Sequence, residues 1–183
     1  MNYYGAKELA ASFRTVRKNT IAIAEEIGEE HYNFSATPDT QTVAQTLAHL
    51  ALNYKWPMQV HATDHLSTFV GYDFMAFFGG IAAEEKKLSS KQAIVAELKA
   101  GGEKFATWLD GLTDDFLAEQ MTMMTGMTPP TKTRFEMLLG VKEHEMHHRA
   151  QLMVLERLVG IVPHMTRESQ ARMAAMKAAQ AKA

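Results

Sequence analysis

Apolar residues return at three- and four-residue steps through four long stretches of the chain, and that spacing predicts helix. The first stretch covers residues 6–27, with Leu9, Phe13, Val16, Thr20, Ile23 and Ile27 on one side and Gly28 placed to end it. The second covers residues 42–64. Val43, Ala44, Leu47, Ala48, Leu50, Ala51, Leu52, Tyr54 and Trp56 nearly encircle it, which predicts a helix covered on several sides, and Pro57 is expected to kink or divide it. Ser89-Ser90 precedes a third helix over residues 91–112, interrupted by Gly101-Gly102. The fourth covers residues 134–159 and stops at Gly160.

The segments between them lack this order. Residues 31–40 read as a loop around the turn-prone Thr37-Pro38-Asp39. Residues 66–88 are irregular: Phe69, Tyr72, Phe74, Phe77 and Phe78 precede Gly79-Gly80, as in an aromatic connection packed over one end of the fold. Residues 120–131, rich in Met, Thr and Pro, predict a loop long enough to line the mouth of a site. Few segments alternate with a period of two. The expected fold is therefore all-α, a four-helix bundle with at least one long crossover connection. The bundle domain takes in residues 1–165. Residues 166–183 form a tail rich in Ala, Lys and Met that fits a short helix on the body, a helix in a partner contact or a frayed end.

Composition narrows the function. The chain has 183 residues, enough for a real core, and its 46% hydrophobic content with a net charge of −2 argues against disorder. Nineteen Lys and Arg against 21 Asp and Glu leave no basic field for nucleic acid, and Arg14, Arg17 and Lys18 on the first helix read as a solvated face. The N-terminus lacks the basic and apolar regions of a secretory signal, and no stretch approaches ~18 uninterrupted apolar residues. A cytoplasmic location without membrane or nucleic-acid partners is expected. There is no cysteine, against eight histidines. Disulfides, thiolate zinc sites, iron–sulfur clusters and a cysteine nucleophile are excluded, so any metal is held by His, Asp, Glu or main-chain oxygen.

The histidines concentrate in His144-Glu145-Met146-His147-His148-Arg149-Ala150-Gln151. Helical residues four apart lie about 40° apart around the axis and roughly 6 Å along it, so two such imidazoles can converge on one ion. The apolar residues Val141, Leu152, Leu155 and Val159 set the buried direction. His148 falls inside it and His144 at its margin, whereas His147 lies about 120° from Val141. Shared coordination would satisfy a core-facing histidine pair that burial otherwise penalises. A stable centre needs a third ligand from another helix, and periodicity does not choose it. His49 sits in the most apolar helix but off the axis of Leu47, Leu50 and Tyr54. His61 and His65 form another four-residue pair, and His31 and His164 sit near breaks where exposure is the default.

Two segments carry a resemblance. Phe34-Ser35-Ala36-Thr37-Pro38-Asp39 leads into Val43-Ala44-Gln45-Thr46-Leu47-Ala48-His49-Leu50, and His144-x-x-x-His148-Arg149-Ala150-Gln151 lies in the fourth helix. Together with the helix order over residues 5–160, they resemble the DinB-like (DinB/YfiT-like) family of metalloenzymes, which usually has Gly where this chain has Ala150. The resemblance implies an open site with His49, His144 and His148 as ligands. It makes Glu145, His147, Arg149 and Gln151 neighbours that orient ligands or meet substrate. It implies a divalent ion, zinc or nickel first and iron next, although all-nitrogen ligation does not name the metal. It points to thiol-dependent transfer or isomerisation of a small molecule, with metal-dependent hydrolysis or a non-catalytic, stress-related metal-binding module as alternatives. A chain without cysteine must receive that thiol as a low-molecular-weight cosubstrate. The family habit also implies a homodimer through exposed helix faces.

Overall fold

Local capping and apolar stripes set the helices of the computed structural model, which describes residues 4–181. Helix α1, Ala6–Glu26, starts where the Gly5 amide donates to Glu8 Oε2 at 2.9 Å, and it ends as Ile27 turns to extended backbone. Helix α2, Val43–Leu52, opens on a reciprocal cap: Thr42 Oγ1 accepts from the Gln45 amide and Gln45 Oε1 from the Thr42 amide. Its path continues through the single turn α3, Lys55–Pro57, and then widens into a π-helical segment, Met58–Thr63. Pro57 therefore marks a change of winding, where the missing N–H loosens the regular ladder.

Helix α4, Phe74–Glu85, replaces the irregular connection expected over residues 66–88. Asp73 caps it through the Ala76 amide, and the helix buries none of its residues. Its half-buried Phe74, Phe77 and Ile81 recur at three- and four-residue steps, and its Gly79-Gly80 pair reads as a break although the backbone stays helical. Helix α5, Lys91–Asp110, is capped by Ser90 as expected. After the short α6, Asp114–Ala118, strands β1, Gln120–Thr122, and β2, Thr131–Thr133, pair antiparallel in the segment expected to be loop. Met121 and Met123 explain the difference: both are buried against Val60 and Phe69 in a small satellite core. Helix α7, Arg134–Leu158, follows with a second reciprocal cap between Thr133 and Glu136.

Helices α1 and α2 each pack against both α5 and α7, so the order around the four-helix bundle is α1, α5, α2, α7. Helix α4 lies against α2. The core falls into two clusters. One joins Ile23, Ala24 and Ile27 to Leu47, Leu50, Leu98 and Leu152; the other joins Leu9, Phe13 and Tyr54 to Phe105, Leu109 and Leu138. Between them lies a buried polar layer centred on Arg17 and Glu145. Arg17 thus leaves the solvated face expected of it, because it shares a side of α1 with Phe13 and Thr20. Helix α8, His164–Gln180, forms from the tail. His164 is buried rather than exposed, with Nε2 at 3.2 Å from Asn19 Oδ1, and Arg167 pairs with Glu26 at 2.6 Å. Beyond that first turn the helix is exposed. Among the described residues, no helix is long and apolar enough to cross a membrane.

Glu156 of α7 is buried with no hydrogen-bond partner for either carboxylate oxygen. Burial, and secondarily the charge of Glu26, raise its pKa from 4.5 to about 7. The folded protein then holds a proton that the unfolded chain has already released above pH 4.5. The contribution of this group to stability is complete below that pH and is lost as pH rises through about 7. Glu156→Gln is therefore expected to leave stability unchanged near pH 4 and to add about 1–3 kcal/mol at pH 8. Urea unfolding at both pH values checks this; a variant that is no more stable than the parent at pH 8 contradicts it.

Candidate metal centre

The facing surfaces of α2 and α7 bring three imidazoles together. His49 comes from α2, and His144 and His148 lie one turn apart on α7. Their ring centroids are 5.0 Å (His49 to His144), 5.0 Å (His49 to His148) and 4.6 Å (His144 to His148) apart. One ring nitrogen from each lies within 4.8 Å of the other two, and all three side chains are half-buried. His49 Nε2 approaches His144 Nε2 to 2.8 Å.

The outer ring nitrogens are held from behind. Glu85 Oε1, at the end of α4, lies 2.8 Å from His49 Nδ1, and Gln151 Oε1 lies 2.8 Å from His148 Nδ1. Each oxygen accepts an Nδ1–H, which leaves the Nε2 lone pair of that ring free for an ion. Burial lowers the pKa of His144 to about 4, helped by the neighbouring His148, His49 and His147 rings. Burial also lowers that of His148, against the opposing hydrogen bond from Gln151. Neutral imidazoles with fixed tautomers are the form that binds metal. Tetrahedral ligands at about 2.0–2.1 Å from zinc lie roughly 3.3 Å apart, close to the spacing of this cluster. Two lone pairs facing each other at 2.8 Å also need a cation or a shared proton between them. The donor set therefore fits a divalent ion.

Arg17 determines which face of α7 carries the ligands. Its Nε and Nη2 donate to Glu145 Oε2 at 3.1 and 2.9 Å, Nη2 also to the Leu50 carbonyl at 3.0 Å, and Nη1 to the Leu98 carbonyl at 3.2 Å. Glu145 and Leu50 each adjoin a histidine of the cluster in sequence. Drawing the Glu145 side chain toward α1 leaves His144, about 100° away around α7, to face His49 of α2. Gly102 admits the guanidinium stem: a Cβ there would lie 2.8 Å from Arg17 Cγ. The glycine pair of α5 thus makes room for neighbours without breaking the helix.

Of the four residues expected around the ligands, Gln151 and His147 lie there. The Gln151 amide nitrogen is 3.2 Å from His147 Nε2, so this side chain links His147 to His148. Glu145 bonds Arg17 instead, and no hydrogen bond links Arg149 to the three imidazoles. Glu145 is wholly buried against Arg17, and half-buried Arg149, its Nε without a partner, has its pKa lowered by burial against the pull of Glu145. The residue missed is Glu85: Gly79-Gly80 interrupts its helix in the sequence, and its partner is 36 positions away. The other histidine pair separates. His61 is buried with Nδ1 at 2.9 Å from Arg134 Nη1, and Arg134 in turn bonds Glu119, while His65 is exposed.

The sequence profile of the DinB superfamily matches residues 12–152, which include all three histidines. The chain belongs to the DinB superfamily. An uncharacterized protein from Clostridium difficile 630 has a similar crystal structure, with a TM-score of 0.64 at 15% identity. The match covers 87% of this chain and 99% of that one, and it shows a shared fold. No curated protein matches the sequence.

The buried pair gives a prediction for this DinB protein. Glu145→Leu strands the Arg17 cation and should cost about 3–5 kcal/mol of stability. Adding Arg17→Met should restore most of that loss, because both charges are then gone. Denaturant unfolding of the two single variants and the double variant checks this; additive losses contradict it.

Proposed function

We propose that this chain is a divalent-metal-dependent enzyme of the thiol-transferase or isomerase type, with the ion held by His49, His144 and His148. The observation that carries the reading is a cavity on each side of the histidine cluster. One, of about 220 Å³, is lined by His49 and Glu85 together with Trp56 and Phe78. The other, of about 380 Å³, is lined by His148 and Gln151 together with Thr40, Val154 and Leu155. Two flanking spaces suit two reactants, a low-molecular-weight thiol and a small acceptor, whereas hydrolysis needs room for only one besides water.

A divalent ion held by these three imidazoles would supply Lewis acidity, lowering the pKa of a thiol or water and polarising a carbonyl. The protein's part is to position and to hold protons. Glu85 and Gln151 keep the protons on Nδ1 of His49 and His148. Gln151 also ties exposed His147 to the rim of the larger cavity. Zinc or nickel is the first choice of metal, and iron the next. Exposed Met146, Val154 and Leu158 at four- and eight-residue steps on α7 favour a homodimer through that helix. Hydrolysis and a purely structural metal are the competing roles.

Metal content and cobalt spectra test the proposal. The untagged protein should bind about one equivalent of cobalt(II), and His144→Ala and His148→Ala should each lower the affinity at least tenfold. Adding 2-mercaptoethanol should produce a sulfur-to-cobalt charge-transfer band. Unchanged affinity in both variants contradicts the assigned ligands, and a spectrum indifferent to thiol contradicts the thiol reading in favour of hydrolysis or a structural ion.

A further inference from the structure

The junction of α1, α7 and α8 holds a carboxyl group that the metal centre does not use. Glu156 stands two turns of α7 beyond His148. Its side chain is fully buried, and neither oxygen has a hydrogen-bond partner. Glu26 of α1, Arg167 of α8 and Arg157 of α7 are the charges that act on it, so it lies where the three helices meet. Arg167 is committed to Glu26 at 2.6 Å and to the Val162 carbonyl. Arg157 donates to the Thr166 hydroxyl at 2.9 Å and to the Met153 carbonyl at 2.7 Å. Both cations therefore bond elsewhere. His164, the other titratable group in the first turn of α8, has its Nε2 at 3.2 Å from Asn19 Oδ1 of α1, and Glu168 is exposed.

Little holds α8 at this junction. His164 is the buried residue among those described in α8, and the helix is exposed from Arg167 onward. An ion pair at the surface, such as that of Arg167 with Glu26, adds little adhesion. The link from α7 turns at Gly160, with φ of +84°, and the Ile161 amide donates to the Glu156 carbonyl at 2.8 Å. The body of α7 is held far more firmly, since Leu152 and Leu155 pack with Ile23 and Leu98 in a main apolar cluster. An ionised Glu156 is a buried charge without a partner, which is costly until water reaches it. Release of α8 admits that water at less cost than unpacking α7 from the core.

We infer that α8 is a pH-gated arm: its first turn docks on α1 and α7 while Glu156 is protonated, and ionisation of Glu156 releases it. In the docked state burial, and secondarily the charge of Glu26, raise the pKa of Glu156 from 4.5 to about 7. With α8 released and water admitted, the carboxyl returns toward its ordinary value. Docking is then at full strength below pH 4.5, weakens by up to about tenfold per pH unit above it, and levels off beyond about 7. The arm responds to pH independently of any ion at the histidine cluster.

Hydrogen–deuterium exchange of the full-length protein tests this, with rates corrected for the intrinsic effect of pH on amide exchange. Protection over residues 161–168 should fall at least about tenfold between roughly pH 5 and pH 8. At the higher pH this segment should exchange well ahead of residues 9–24 of α1. In Glu156→Gln the change should shrink to about twofold or less. Glu156→Leu, which suits the apolar surroundings, should behave alike and guards against misfolding of the first variant. Equal protection of the parent at both pH values overturns the inference. So does exchange of residues 161–168 in step with α1, which makes the opening global. A pH-dependent loss that persists in both variants assigns the response to another group, His164 first, and overturns it as well.

Discussion

Arg17 is a buried cation that bonds to three helices other than its own, through Leu50 of α2, Leu98 of α5 and Glu145 of α7. A guanidinium taken out of water is costly unless its donors are met, so the bundle has little freedom at this level. Rotating α7 or sliding α2 strands donors in the core. The two apolar clusters above and below supply adhesion without direction; the ion pair between them supplies register. It also explains the nearness of the polar layer to the histidines, because Leu50 and Glu145 each stand one residue from a ligand candidate. Such a pair contributes less to net stability than to a single arrangement of helices, and this arrangement is the one that opposes His49 to His144 and His148.

The cluster in turn carries its own support. Glu85 and Gln151 reach the Nδ1 atoms of His49 and His148 from different elements, α4 and α7. Helix α4 buries none of its residues, yet it delivers Glu85 to the site and Phe78 to the neighbouring cavity. Its value lies in placement, since little apolar burial holds it. Such an element can move at low cost, and loosely packed elements are the ones available to open and close over a site.

Much of this could be read from residue spacing. The bundle helices follow from apolar stripes and cap residues, which are local signals. The pair His144 and His148 follows from helical geometry, while His49 required the resemblance. What escaped was non-local. The stripe of helix α4 is only half-buried and is interrupted by Gly79-Gly80, and Glu85 was lost with it. Buried Met121 and Met123 anchor a strand pair in a segment whose Met, Thr and Pro content suggested loop. The pairing of Arg17 with Glu145 escaped for a different reason. Each sits in its helix's apolar stripe, four residues after Phe13 and Val141, but a charged residue reads as surface until its partner is known. That partner is 128 positions away. A charged residue inside an apolar stripe is itself a signal of a buried pair.

The account turns on whether His49, His144 and His148 bind a single ion and leave a coordination position for substrate. X-ray absorption at the metal edge of zinc- or nickel-loaded protein tests this most directly. Three imidazole nitrogens at about 2.0–2.1 Å should appear together with one or more light-atom ligands, and added thiol should replace light-atom scattering with sulfur at about 2.3 Å. A centre with fewer than three imidazoles, or one already closed by four protein ligands and indifferent to thiol, would contradict it.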